Sequence, residues 1–137
     1  MFEQKEYSAL DFFTIEELRS HLRVYHEDED EEIKMLAEAA IEVAASYTGG
    51  DIMKKGMTLK EYLEENNIPY QTDSTGVIYF SNKYWILPFN KRIRSAVLLC
   101  TADLYENREA NTDYSTYENR AFSLLLNGMR NINIRQV

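Results

Sequence analysis

Ile93-Arg94-Ser95-Ala96-Val97-Leu98-Leu99-Cys100-Thr101-Ala102-Asp103-Leu104-Tyr105-Glu106-Asn107-Arg108-Glu109 is the stretch that decides the fold. Ile93, Ala96, Val97, Leu98, Leu99, Cys100, Ala102 and Leu104 make a helix that is apolar on far more than one stripe. A helix of that kind is buried on most of its sides. Its last turn then sets an aromatic ring, a carboxylate, an amide and a guanidinium side by side at Tyr105, Glu106, Asn107 and Arg108. Such groups anchor one element, or one subunit, against another, and they lack the arrangement of an acid, base or nucleophile set for chemistry.

On the N-terminal side of this helix, Pro88 and Asn90 supply its start. On the other side, Ala110 to Thr116 is polar and helix-poor and reads as a loop. A final helix follows, with Phe122, Leu125, Leu126 and Met129 on one apolar stripe and Gly128 weakening its end. Beyond it, Ile132, Ile134 and Val137 alternate with polar residues, which predicts a short extended tail over 131–137 able to add to a sheet edge.

The N-terminal half carries two capping-box spacings, Thr14 with Glu17 and Thr58 with Glu61, each opening a helix. Between them, Ile33, Leu36, Ala37, Ala40, Ile41, Ala44 and Tyr47 keep a 3.6-residue period up to Gly49-Gly50, where glycine accepts a left-handed cap. Val77-Ile78-Tyr79-Phe80 and Tyr84-Trp85-Ile86-Leu87, joined by Ser81-Asn82-Lys83, read as a hairpin. The pattern predicts a single domain over 1–137, mainly α. It is a small bundle of about four to five helices with an inserted short helix and β-hairpin over 51–89.

At 137 residues and 45% apolar content the chain can bury a full core. No apolar run approaches the roughly 20 residues of a bilayer span, and the first residues lack the pattern of a signal peptide. The expectation is a protein made in the cytoplasm, with no membrane partner. The formal net charge is −8, and residues 26–50, with eight acids and one lysine, hold most of it. That balance argues against general affinity for nucleic acid, which needs Lys and Arg to displace counterions.

Sites for chemistry are sparse. Glu27-Asp28-Glu29-Asp30-Glu31-Glu32 invites a calcium loop, but a loop starting at Asp28 has Ile33 and Ala39 where glycine and glutamate are needed. Acids opening a helix complement its partial positive charge instead. His21 and His26 are five apart and read as surface residues, and Cys100, the single cysteine, reads as a small buried hydrophobe. Asp51 reads as a turn residue, and Lys91, Arg92 and Arg94 as a solvated basic face. No metal, cofactor or catalytic residue is expected. Ten Tyr and six Phe exceed what one small core needs, so the composition points to assembly.

The arrangement resembles the gp6-like head–tail connector family of tailed bacteriophages. Four pieces carry the likeness: Thr14 to Val24; the Ala-rich helix ending Ser46-Tyr47-Thr48-Gly49; Leu87-Pro88 before the helix that closes in Leu104-Tyr105-Glu106-Asn107-Arg108-Glu109-Ala110; and Ala121 to Leu126 followed by Met129-Arg130. The longer 51–87 segment and Asn127-Gly128-Met129 depart from the simplest members. The resemblance implies a structural virion protein at the head–tail interface, assembled in the bacterial host. It implies a ring of about twelve copies of this chain, docked under the portal protein after packaging and joined to a stopper or tail-completion protein. DNA would pass through without sequence-specific binding. On this reading Tyr105, Glu106, Asn107, Arg108, Trp85, Phe122, Arg130, Ile132 and Ile134 are the subunit or portal interface, and the acids Glu27 to Glu32 face the channel. A small acidic adaptor that binds a cellular protein through the hairpin aromatics is the competing expectation.

Overall fold

In the computed structural model, residues 6–107 and 119–131 are described. Thr14 caps helix α1 (Ile15–Leu22): its side chain accepts from Glu17 N while Glu17 caps Thr14 N in return. The same reciprocal box at Thr58 and Glu61 opens α3 (Leu59–Glu65). Asn90 caps the signature helix α4 (Lys91–Glu106), and Asn119 caps α5 (Arg120–Leu126). Helix α2 (Asp30–Thr48) ends on Gly49 in the left-handed conformation. Single 3-10 turns at Ala9–Asp11 and Asn127–Met129 precede α1 and follow α5.

The largest shared surface is between α2 and α4, with α5 on α4 and α1 across both. Along α4, every residue from Ala96 to Tyr105 is buried or half-buried, as an all-round apolar helix requires. Ile33, Ala37, Ile41, Ala96, Val97, Leu104, Phe122 and Leu126 form its core, and Cys100 lies fully inside it. Two ion pairs fasten α1 to this frame, a two-point contact from Arg19 to Asp30 at 2.8 Å and one from Arg94 to Glu17 at 2.9 Å.

The inserted segment has a second, smaller core of Met53, Tyr62, Leu63 and Ile68. Four short strands frame it: β1 (Asp51–Ile52), β2 (Tyr70–Thr72), β3 (Ile78–Phe80) and β4 (Ile86–Leu87). A hairpin is present, but its strands are not those expected from the sequence. β3 pairs antiparallel with β2, Tyr70 opposite Phe80, and β4 pairs parallel with β1, Asp51 opposite Ile86.

The turn explains the difference. One Asp73 carboxylate oxygen accepts from Thr75 N, Thr75 Oγ1 and Val77 N, and Gly76 takes φ 88°. That staple closes 70–80 into a ribbon. Ser81-Asn82-Lys83 instead turns the chain away so that Leu87 can enter the main core.

Candidate assembly interface

The residues singled out as an interface fall into two groups, and the fold uses most of them internally. At the C-terminal end of α4, Tyr105 is half-buried and its hydroxyl donates to Glu29 Oε2 at 2.6 Å. Asn107 caps the helix, its Nδ2 donating to the Asp103 carbonyl at 3.0 Å, while Glu106 is exposed. Arg108, Ile132 and Ile134 lie outside the described residues.

The second group gathers on Tyr47, near the end of α2. Phe122 meets the Tyr47 ring edge-on at 5.6 Å, and the Arg130 guanidinium lies 4.6 Å over its face. Arg130 Nε also donates to the Tyr47 carbonyl at 3.0 Å, and Asn131 N donates to that of Thr48 at 2.8 Å. Trp85 Nε1 donates to the Met129 carbonyl at 2.8 Å. Phe122 is only 2% exposed and packs inside the chain. A hydrophobic residue on the inward stripe of a short helix goes to the core first. Trp85 and Arg130 are half-buried; Arg130 binds the C-terminal segment to α2, and Trp85 binds it to the chain just before β4.

The acidic run is also divided. Asp30 is held by Arg19, which keeps its carboxyl below the usual carboxylate range, and Glu29 is held by Tyr105. Glu31 pairs with Lys34 at 2.6 Å. Glu27, Asp28, Glu31 and Glu32 stand exposed. The six acids thus do not form one uniform face, because capping and pairing draw two of them toward the frame.

Sequence reasoning missed Asp51. Its carboxylate accepts from the hydroxyls of both Tyr7 and Tyr62, and Ile52 N donates to Tyr7 Oη at 3.2 Å. Burial, then the neighbouring carboxylate, pushes both phenols well above their ordinary value. This clasp ties the N-terminal segment, β1 and α3 together beside a cavity of about 290 Å³ lined by Phe12, Met53 and Met57. Nothing local in Gly49-Gly50-Asp51 signals it, since both tyrosines come from elsewhere in the chain.

Large apolar side chains remain on the surface: Tyr25 at 90% exposure, Met35 at 68%, Leu124 at 62%, Tyr79 at 57%, Leu10 at 56% and Val77 at 49%. Among the described residues no cluster of His, Cys, Asp and Glu is placed to hold a metal, and no helix is long and apolar enough to cross a membrane.

Comparison with known proteins gives the same class. Among solved structures, the crystal structure of bacteriophage HK97 gp6 shares the fold, with a TM-score of 0.53 at 21% identity over 90% of this chain and 97% of that one. The curated proteins compared yield no match. Residues 12–132 match the family described as phage gp6-like head-tail connector protein, a span that takes in the five α-helices of the described residues. The chain belongs to the phage gp6-like head-tail connector family, and it is a bacteriophage structural protein.

Proposed function

We propose that this chain closes into a ring of about twelve copies by head-to-tail contacts, docks beneath the portal protein once DNA is packaged, and presents the stopper or tail with its seat. The observation that carries the reading is the family match, which runs through the whole helical frame instead of one motif. The exposed apolar side chains fit a chain that buries more surface on assembly than it does alone. Glu27 and Asp28, exposed at the turn before α2, suit a channel wall that repels DNA phosphates and lets the genome slide.

A second reading rests on the β2–β3 ribbon. Val77 and Tyr79 stand half exposed on it, which is what an acidic adaptor binding one cellular protein would present. Sedimentation of the purified chain over a wide concentration range, with and without purified portal protein, separates the two. A closed species near a dozen subunits, alone or on the portal, supports the ring. A monomer or dimer that ignores the portal throughout transfers the assignment to the adaptor.

A further inference from the structure

Two helices of the frame present single large apolar side chains in the middle of otherwise polar outer faces, and the charges around them are opposite. On α2, Met35 is 68% exposed. Glu31 lies one turn before it and Glu42 two turns after, both exposed on the same line of the helix, roughly 6 Å and 10 Å away along the axis. On α5, Leu124 is 62% exposed, with Arg120 one turn before it and exposed. One turn after Leu124, the Arg92 guanidinium reaches across from α4 to within 3.5 Å of where a Gly128 Cβ would stand. Among the described residues neither Arg92 nor Arg120 has an ion-pair partner.

We propose that the α2 face of one copy docks on the α5 face of the next, with Met35 against Leu124 and the glutamates Glu31 and Glu42 flanked by Arg120 and Arg92. The occupant of each face is therefore a second copy of this chain, and the assignment rests on the ring reading above. Charge complementarity is the argument: an apolar centre with a carboxylate on either side meets an apolar centre with a guanidinium on either side. Lys34 pairs with Glu31 across the exposed surface, a contact weak enough to be exchanged for a better one. Met35 and Leu124 both stay exposed within the single chain, so the two faces do not cover each other there. Two distinct patches that meet between copies make a heterologous contact, the kind that closes rings. Opposite charges also set the direction of travel around the ring, because α2 against α2 would bring carboxylates together.

The test uses two single-cysteine additions to the full chain, Met35→Cys and Leu124→Cys. Cys100 is fully buried and does not compete. Under a mild copper–phenanthroline oxidant, a mixture of the two variants is expected to form a 35–124 disulfide dimer. The chain carrying both is expected to give a ladder that ends at the closed ring. Reversal of Glu31 and Glu42 to Arg should lower the assembled fraction about tenfold, and a partner chain with Arg92 and Arg120 reversed to Glu should restore it. Rings by sedimentation, with no 35–124 disulfide and no response to charge reversal, overturn the face assignment and leave the ring standing. A 35–35 disulfide in preference to 35–124 overturns it as well, since that contact is isologous. A chain that stays monomeric with and without portal protein overturns both this inference and the ring.

Discussion

The Tyr105 hydroxyl donates to the Glu29 carboxylate at 2.6 Å, joining the end of the signature helix to the turn that precedes α2 across 76 residues. Two motifs that looked independent in the sequence, an aromatic helix end and an acidic run, are halves of one contact. Hydrogen bonds to a charged group contribute about 1.5–3 kcal/mol when well sheltered, and this one is half-buried. Tyr105→Phe is expected to lose about 1 kcal/mol, read as a fall in melting temperature of roughly 3–5 °C. An unchanged melting temperature would show that water replaces the bond at no cost.

Gly50 shows a tighter constraint. A Cβ there would sit 2.6 Å from Trp85 Cδ1 and 2.8 Å from the Trp85 carbonyl oxygen. That oxygen is not free to shift, because it accepts from Asp51 N at 2.8 Å in the β1–β4 pairing. Gly50→Ala should therefore cost about 1–3 kcal/mol, the range for forcing extra volume into a packed site. Trp85 is the only tryptophan, so its emission reports the site directly. A red shift with lowered stability is the expected result, and native emission with native stability would contradict the packing described.

These two contacts also show what the sequence could and could not reveal. Helices α1, α3 and α4 were legible because their signals are local. A threonine three residues before a glutamate, or an asparagine before an apolar run, carries its own physics. The burial of α4 was legible too, since no arrangement leaves Ala96 to Leu99 in water at low cost. The strand pairing was not. Val77 to Phe80 and Tyr84 to Leu87 have nearly the same composition, and the choice of partner is made by Asp73, which staples one turn, and by the distant Asp51 strand. Asp51 escaped for the same reason, because two remote tyrosines claim its carboxylate. Interface residues are hardest of all to read, since anchoring inside a chain and anchoring between chains use the same side chains.

Arg23 closes α1 with φ 59° and ψ 41°, a left-handed conformation that costs an L-residue roughly 1 kcal/mol. Its side chain is exposed, and its N–H donates to the carbonyls of Arg19 and Ser20, a bond pattern that any residue can supply. Arg23→Gly should stabilise the chain by about 0.5 kcal/mol, the relief of strain being partly offset by the greater freedom of glycine when unfolded. A thermal melt decides it, and a lower midpoint would mean that the arginine side chain holds the α1–α2 turn in a way its exposure does not suggest.

Asp73 gives the ribbon a pH dependence of definite sign. Hydrogen bonds from the Thr75 side chain, then from Val77 N, hold its carboxyl down at about 2, below an ordinary value of 3.8. A depressed carboxylate stabilises the fold above its unfolded value and stops doing so as pH falls through its folded value. The ribbon should therefore be fully closed at neutral pH and open between about pH 4 and pH 2. Hydrogen exchange at Val77 N, which donates to Asp73 Oδ1, reports the turn itself, while amides in the middle of α4 serve as the internal reference. Loss of protection at Val77 across that window, ahead of α4, is the expected outcome. Asp73→Asn should reproduce part of that loss at neutral pH, because the amide keeps an acceptor oxygen but not the charge that makes three donors converge on it. If Val77 protection in that variant matches the native chain at every pH, the carboxylate is not what closes the turn, and the pairing of β2 with β3 must be set by the Tyr70, Ile78 and Phe80 side chains packed on the smaller core.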